Sequence, residues 1–154
     1  MTQTEKKEQR EHLVLLALGV AALVVSGIRP LDRLTWVLEV FPAVAGALIL
    51  IAIYRRFRFT PLVYRLVLLH ALVLILGGHY SYAKVPLGYW MQDVLDLSRN
   101  PYDRVGHFMQ GFVPAIIARE VLLRRHAERQ QDEVLALFFL FGLCHVSWKV
   151  SSER

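Results

Sequence analysis

Leu34-Thr35-Trp36-Val37-Leu38-Glu39-Val40-Phe41-Pro42-Ala43-Val44-Ala45-Gly46-Ala47-Leu48-Ile49-Leu50-Ile51-Ala52-Ile53 carries one charge, Glu39. A helix needs roughly 20 apolar residues to cross about 30 Å of hydrocarbon. A surface helix of a soluble domain would instead repeat polar residues along one face. The stretch reads as a membrane span, and the rest of the chain follows the same pattern.

Four further apolar blocks flank it. Leu13 to Ile28 has no charge, and Leu66 to Tyr82 has only His70 and His79 as titratable groups below the tyrosines. Val105 to Leu123 carries Arg119 and Glu120 near its far end, and Val134 to Val150 forms the last block. The expected architecture is all-α, a polytopic transmembrane helix bundle of about five spans. Residues 1–12 form a charged cytoplasmic leader, 13–150 a single transmembrane domain, and 151–154 a tail. The composition agrees, with 55% apolar residues and a mean hydropathy of +0.39 over 154 residues.

The first block reads as a retained helix, not a cleaved leader. Glu5, Glu8 and Glu11 offset Lys6, Lys7 and Arg10, and no A-x-A cleavage site follows. Arg29-Pro30-Leu31-Asp32 then reads as a tight turn into the second span.

The net charge of +5 does not indicate nucleic acid, because Lys and Arg gather at span ends for topological reasons. With five spans, the amino-terminal side holds Lys6, Lys7, Arg10, Arg55, Arg56, Arg58, Arg124, Arg125 and Arg129. Arg65 and Arg119 can reach the same face by extending along the helix. The other side holds Arg29, Arg33, Lys84, Arg99, Arg104, Lys149 and Arg154. The denser clusters predict a cytoplasmic amino terminus in a bacterial inner membrane.

The loop from Ala83 to Arg104 then lies outside. Within it, Leu87 to Ser98 can place Tyr89, Trp90, Val94 and Leu97 on one face, against Gln92, Asp96 and Arg99. That pattern predicts a short amphipathic helix along the headgroups. Asn100-Pro101-Tyr102-Asp103 reads as a helix start, with Asn100 as cap, Pro101 at the first helical position and Asp103 near the amide end.

Ionisable groups within spans are functional candidates. Asp103 and His107 are one turn apart, His79 closes the third span, and Glu39 enters the second. All four belong to one leaflet, so they are expected to converge. Two histidines and two carboxylates could hold a divalent metal through His79, Asp103 and His107, or relay protons. Packed histidines and a helix cap account for the same residues without chemistry. Glu120 lies about 25 Å from Asp103 along a helix and instead suits Arg124. His70 is expected to be a buried packing residue, His12 and His126 interfacial, and Gly111, Pro114 and Ala118 a close-packing stripe. The single Cys144 excludes an internal disulfide, a CxxC zinc site and a c-type haem motif. No G-x-S-x-G, Walker or dinucleotide-loop motif occurs.

Gly78-His79-Tyr80-Ser81-Tyr82, Val85-Pro86-Leu87-Gly88-Tyr89-Trp90, Arg99-Asn100-Pro101-Tyr102-Asp103-Arg104-Val105-Gly106-His107-Phe108, Gln110-Gly111-Phe112 and Arg119-Glu120 together resemble the YjdF family of bacterial inner-membrane proteins, over about residues 10–135. The Tyr-Asp-Arg-x-x-His-Phe core is also similar, over a short stretch, to VanZ-like proteins. The first resemblance implies a multi-pass protein without an established reaction, continuing into a sixth span with a Glu-Leu-Ile-Glu-Trp type element. This sequence departs from that pattern near Phe141, from which a truncated or frame-shifted carboxyl terminus is expected. Three functional readings follow: an envelope- or lipid-acting enzyme, with or without a metal; a small transporter or proton relay; and an assembly protein that binds the bilayer and either a membrane partner or its own copies.

Overall fold

A computed structural model describes residues 3–125. Every regular element in that range is helical: α1 (Gln3–Ser26), α2 (Arg33–Ile53), α3 (Pro61–Tyr80), a 3-10 turn η1 (Tyr82–Lys84), α4 (Pro86–Val94) and α5 (Tyr102–Arg125). The chain divides into two compact units, Met1–Met109 and Gln110–Arg154.

In the first unit α3 packs against both α1 and α2. These three helices are each long and apolar enough to cross a membrane. Their 24, 21 and 20 residues correspond to about 30–36 Å of helix. Their outward faces are apolar, as at Leu18, Val25, Leu38, Phe41, Leu48 and Leu69. Exposed side chains of this kind suit lipid, in which a buried core gives no advantage over an apolar surface.

The ends follow local chemistry. Asp32 caps α2 by accepting a 2.6 Å hydrogen bond from the Thr35 amide, which also holds its carboxyl below the usual range. Arg29 adopts a left-handed φ of 55° in the α1–α2 turn. Pro61 starts α3, where its missing amide costs nothing.

Several boundaries differ from the sequence reading. The charged leader is helical and continuous with the first span, because acidic and basic residues are good helix formers. The third span starts at Pro61, five residues early, and takes in Arg65. It stops at Tyr80 because Ser81 has φ 60° and ψ 134°, outside any helical region.

The loop helix is shorter than expected, ending at Val94. Asp96 is left-handed, and the Leu97 amide donates to the Gln92 carbonyl at 2.9 Å. This closure ends helices when the residue after the cap turns left-handed, a conformation aspartate tolerates. Asp96, Leu97 and Arg99 therefore fall outside the helix, while Tyr89, Trp90 and Val94 remain exposed on it.

The fourth expected span is helical throughout, as α5, but is not among the three helices with spanning length and hydropathy. Asp103, Arg104, Arg119 and Glu120 lower its apolarity. In the second unit Glu120 pairs with Arg124 at 2.7 Å. Among the described residues an added Cβ at Gly111 meets nothing within 4 Å. The expected fifth span at Val134–Val150, together with His126, Cys144, His145 and the 151–154 tail, lies outside the described residues.

Candidate functional site: hydrogen-bonded latches between helices

The four ionisable residues make three sets of described contacts. Glu39, one turn beyond Trp36 on α2, accepts a 3.0 Å hydrogen bond from the Tyr82 hydroxyl. The Tyr82 ring occupies a slot that glycines open: a Cβ at Gly77 would lie 2.6 Å from its Cζ, and one at Gly106 the same distance from its Cε1. Real Cβ atoms do not approach that closely, so the slot exists only because neither residue has one. The Tyr82 hydroxyl resists ionisation strongly. Burial is the main cause, followed by the charge and hydrogen bond of Glu39, with Tyr102 and Asp103 contributing least. It therefore stays protonated and donates to the Glu39 carboxyl.

His79 points to a different partner. Its Nδ1 donates to the Ser26 carbonyl at the end of α1, at 2.7 Å. Because a carbonyl only accepts, Nδ1 carries a proton in this contact. The His79 carbonyl accepts from the Leu31 amide at 3.0 Å. Ser26 is itself buried; its hydroxyl donates to Leu23 O at 2.8 Å and accepts from Trp36 Nε1 at 3.0 Å. One serine thus ties the end of α1 to α2 and α3. Gly78 brings α3 against α2 at this level, since a Cβ there would sit 3.1 Å from Glu39 Cβ.

Asp103 and His107 face each other across one turn of α5 at 3.4 Å, each about two-fifths exposed. Among the described residues no group of three or more His, Cys, Asp or Glu side chains could hold a metal ion. The sequence reading expects His79, Asp103 and His107 within one bridging ligand of each other. The described contacts join His79 to Ser26 O and Asp103 to His107.

Within the first unit, the start of α5 is held by Tyr102 and Asn100. Tyr102 is 2% exposed and donates its hydroxyl to Val73 O at 3.1 Å. Asn100 accepts from the Tyr102 amide at 3.0 Å and donates to Ala83 O and Val85 O at 3.2 and 3.1 Å. It caps α5 and fastens the start of α4 with one side chain.

At the opposite end of the helices His12 Nδ1 lies 3.0 Å from the Tyr54 hydroxyl, and its ring packs on Tyr64 at 4.2 Å. Arg65 bonds Glu11 at 2.6 Å. The Nε2 atoms of His12 and His70 are buried with no hydrogen-bond partner among the described residues.

The sequence reading missed Ser26, Trp36, Tyr82 and Tyr102 as structural polar residues. The signal for Tyr82 was present: tyrosine hydroxyls near a membrane need partners, and Gly77 and Gly106 supply room for its ring. Nothing in the sequence pointed to Ser26, because its role depends on where three helices meet.

The chain matches the family described as "Predicted membrane protein (DUF2238)" over residues 11–148. It is 53% identical over 130 residues to the inner membrane protein YjdF of Escherichia coli (strain K12), covering 84% of this chain and 60% of that protein. The chain thus spans about three-fifths of the length of this curated relative. No solved structure matches. The chain belongs to the DUF2238 family, and its helices are those of an integral protein of the bacterial inner membrane.

Proposed function

We propose that this protein is an assembly component of the inner membrane, binding a membrane partner or further copies of itself. In this reading Glu39 and His79 lock helices together and do not react. The observation that carries it is that both residues are already engaged between helices, Glu39 with Tyr82 and His79 with Ser26 O. A polar group in hydrocarbon is costly when unsatisfied, so such pairs specify which helix faces meet. The test is energetic coupling between Glu39 and Tyr82, measured by a double-mutant cycle on unfolding free energy.

A second reading has one observation in its favour. The Asp103–His107 pair is partly exposed, as a carboxylate-oriented histidine acting on a lipid or envelope substrate, or relaying protons, would be. A divalent metal there would need a further ligand beyond the described set. Stoichiometric metal in purified protein, lost in His79→Ala/His107→Ala, would favour this reading over the latch.

The amino terminus faces the cytoplasm in our reading, with α4 lying along the outer headgroups. The eleven-to-seven distribution of Lys and Arg supports this orientation. The exposed Trp90 (61%) and Tyr89 (48%) suit the interfacial position that such rings favour. Reporter fusions after Arg58 and after Arg99 should report cytoplasm and periplasm respectively. A periplasmic signal at Arg58 would reverse the topology.

A further inference from the structure

The turn between α2 and α3 is Tyr54-Arg55-Arg56-Phe57-Arg58-Phe59-Thr60, with three arginines and no acid. The neighbouring start of α1 differs, since Lys6, Lys7 and Arg10 are matched by Glu5, Glu8 and Glu11. Glu11 is also committed to Arg65. Positive charge at this end of the helices therefore concentrates on the turn.

The turn is also held in shape. The Arg56 and Phe57 amides both donate to Ile53 O at 2.8 Å. Phe59 is 5% exposed, stacks edge-on with Phe57, and donates its amide to the Tyr64 hydroxyl at 3.4 Å. Tyr54 is fixed by His12 and carries the Arg58 guanidinium 5.2 Å above its ring. The aromatic residues hold the backbone from within, and Arg55, Arg56 and Arg58 are exposed.

A short turn between two membrane-crossing helices lies at headgroup depth. Guanidinium groups match phosphate oxygens with paired N–H donors, and basic clusters beside spans attract anionic lipid. We propose that Arg55 and Arg56, with Arg58, bind the phosphate headgroup of an anionic phospholipid.

The test uses the whole protein in a zwitterionic detergent and follows its thermal midpoint. Micelles doped with phosphatidylglycerol should raise the midpoint by several degrees, whereas phosphatidylcholine and inorganic phosphate at equal phosphate concentration should not. In Arg55→Gln/Arg56→Gln the phosphatidylglycerol shift should fall to less than half. Lys6→Gln/Lys7→Gln, which removes the same charge, should keep it. Equal shifts from both lipids, an equal shift from inorganic phosphate, or a full shift in the arginine variant would each overturn the proposal. Should the arginine variant not fold, spin-labelled lipids around reconstituted wild-type protein decide. Selectivity for phosphatidylglycerol that salt abolishes supports the proposal, and equal immobilisation of both lipids defeats it.

Discussion

Gly77→Ala should destabilise the protein by about 2–4 kcal/mol, although alanine favours a helix over glycine by about 1 kcal/mol. The new Cβ would lie 2.6–2.9 Å from three atoms of the Tyr82 ring. The ring's movement is limited, because Gly106 also lies against it, where an added Cβ would sit 2.6 Å from Cε1, and its hydroxyl is bonded to Glu39. Overpacking typically costs about 1–3 kcal/mol, and expelling the ring would add about 1–3 kcal/mol for the carboxylate left without its donor. Unfolding titrations in mixed micelles measure the sum. In a Tyr82→Ala background the same glycine change should cost under about 1 kcal/mol. An equal cost in both backgrounds would show that the slot does not confine the ring.

Gly88→Ala should have the next largest effect, a net loss of about 1–3 kcal/mol. A Cβ on Gly88 would collide with the Asn100 side-chain amide. That amide is the movable end of a side chain, but three hydrogen bonds hold it, to Ala83 O, Val85 O and the Tyr102 amide. At about 0.5–1.5 kcal/mol each, losing them outweighs the helix propensity alanine gains. Asn100→Ala should reproduce the loss, and the double variant should be little worse than either single one. Amide exchange at Tyr102 should quicken in all three variants. Additive losses, or an unchanged Tyr102 amide, would separate Gly88 from the cap.

The helical character of the chain was legible because it depends on local residue order. The twenty residues from Leu34 to Ile53, apolar but for Thr35 and Glu39, define a span before any neighbour is known, and Asn100-Pro101 marks the start of α5 by its own chemistry. The i,i+4 pairs were legible for the same reason. Both Asp103–His107 and Glu120–Arg124 lie within single helices, where spacing alone fixes the neighbour.

The partners of Glu39 and His79 were not legible, because they depend on helix rotation. A histidine at the end of α3 can turn towards α5 or towards α1, and the backbone carbonyl that holds it has no sequence signature. Ser81 illustrates the same limit. Its positive φ, in a residue type that seldom adopts one, is needed to turn the chain so that Tyr82 enters the slot. The end of α4 depended on Asp96 turning left-handed, a choice that the apolar periodicity through Leu97 concealed.

In the latch reading Glu39 is bonded to Tyr82 between helices and is not held in a shared site with the histidines. A double-mutant cycle on unfolding free energy tests this most directly, comparing Glu39→Leu, Tyr82→Phe and their combination with Glu39→Leu, His107→Ala and theirs. The latch predicts a coupling of about 1–3 kcal/mol between Glu39 and Tyr82. It predicts less than about 0.5 kcal/mol between Glu39 and His107. Negligible coupling to Tyr82 together with a large coupling to His107 would contradict it.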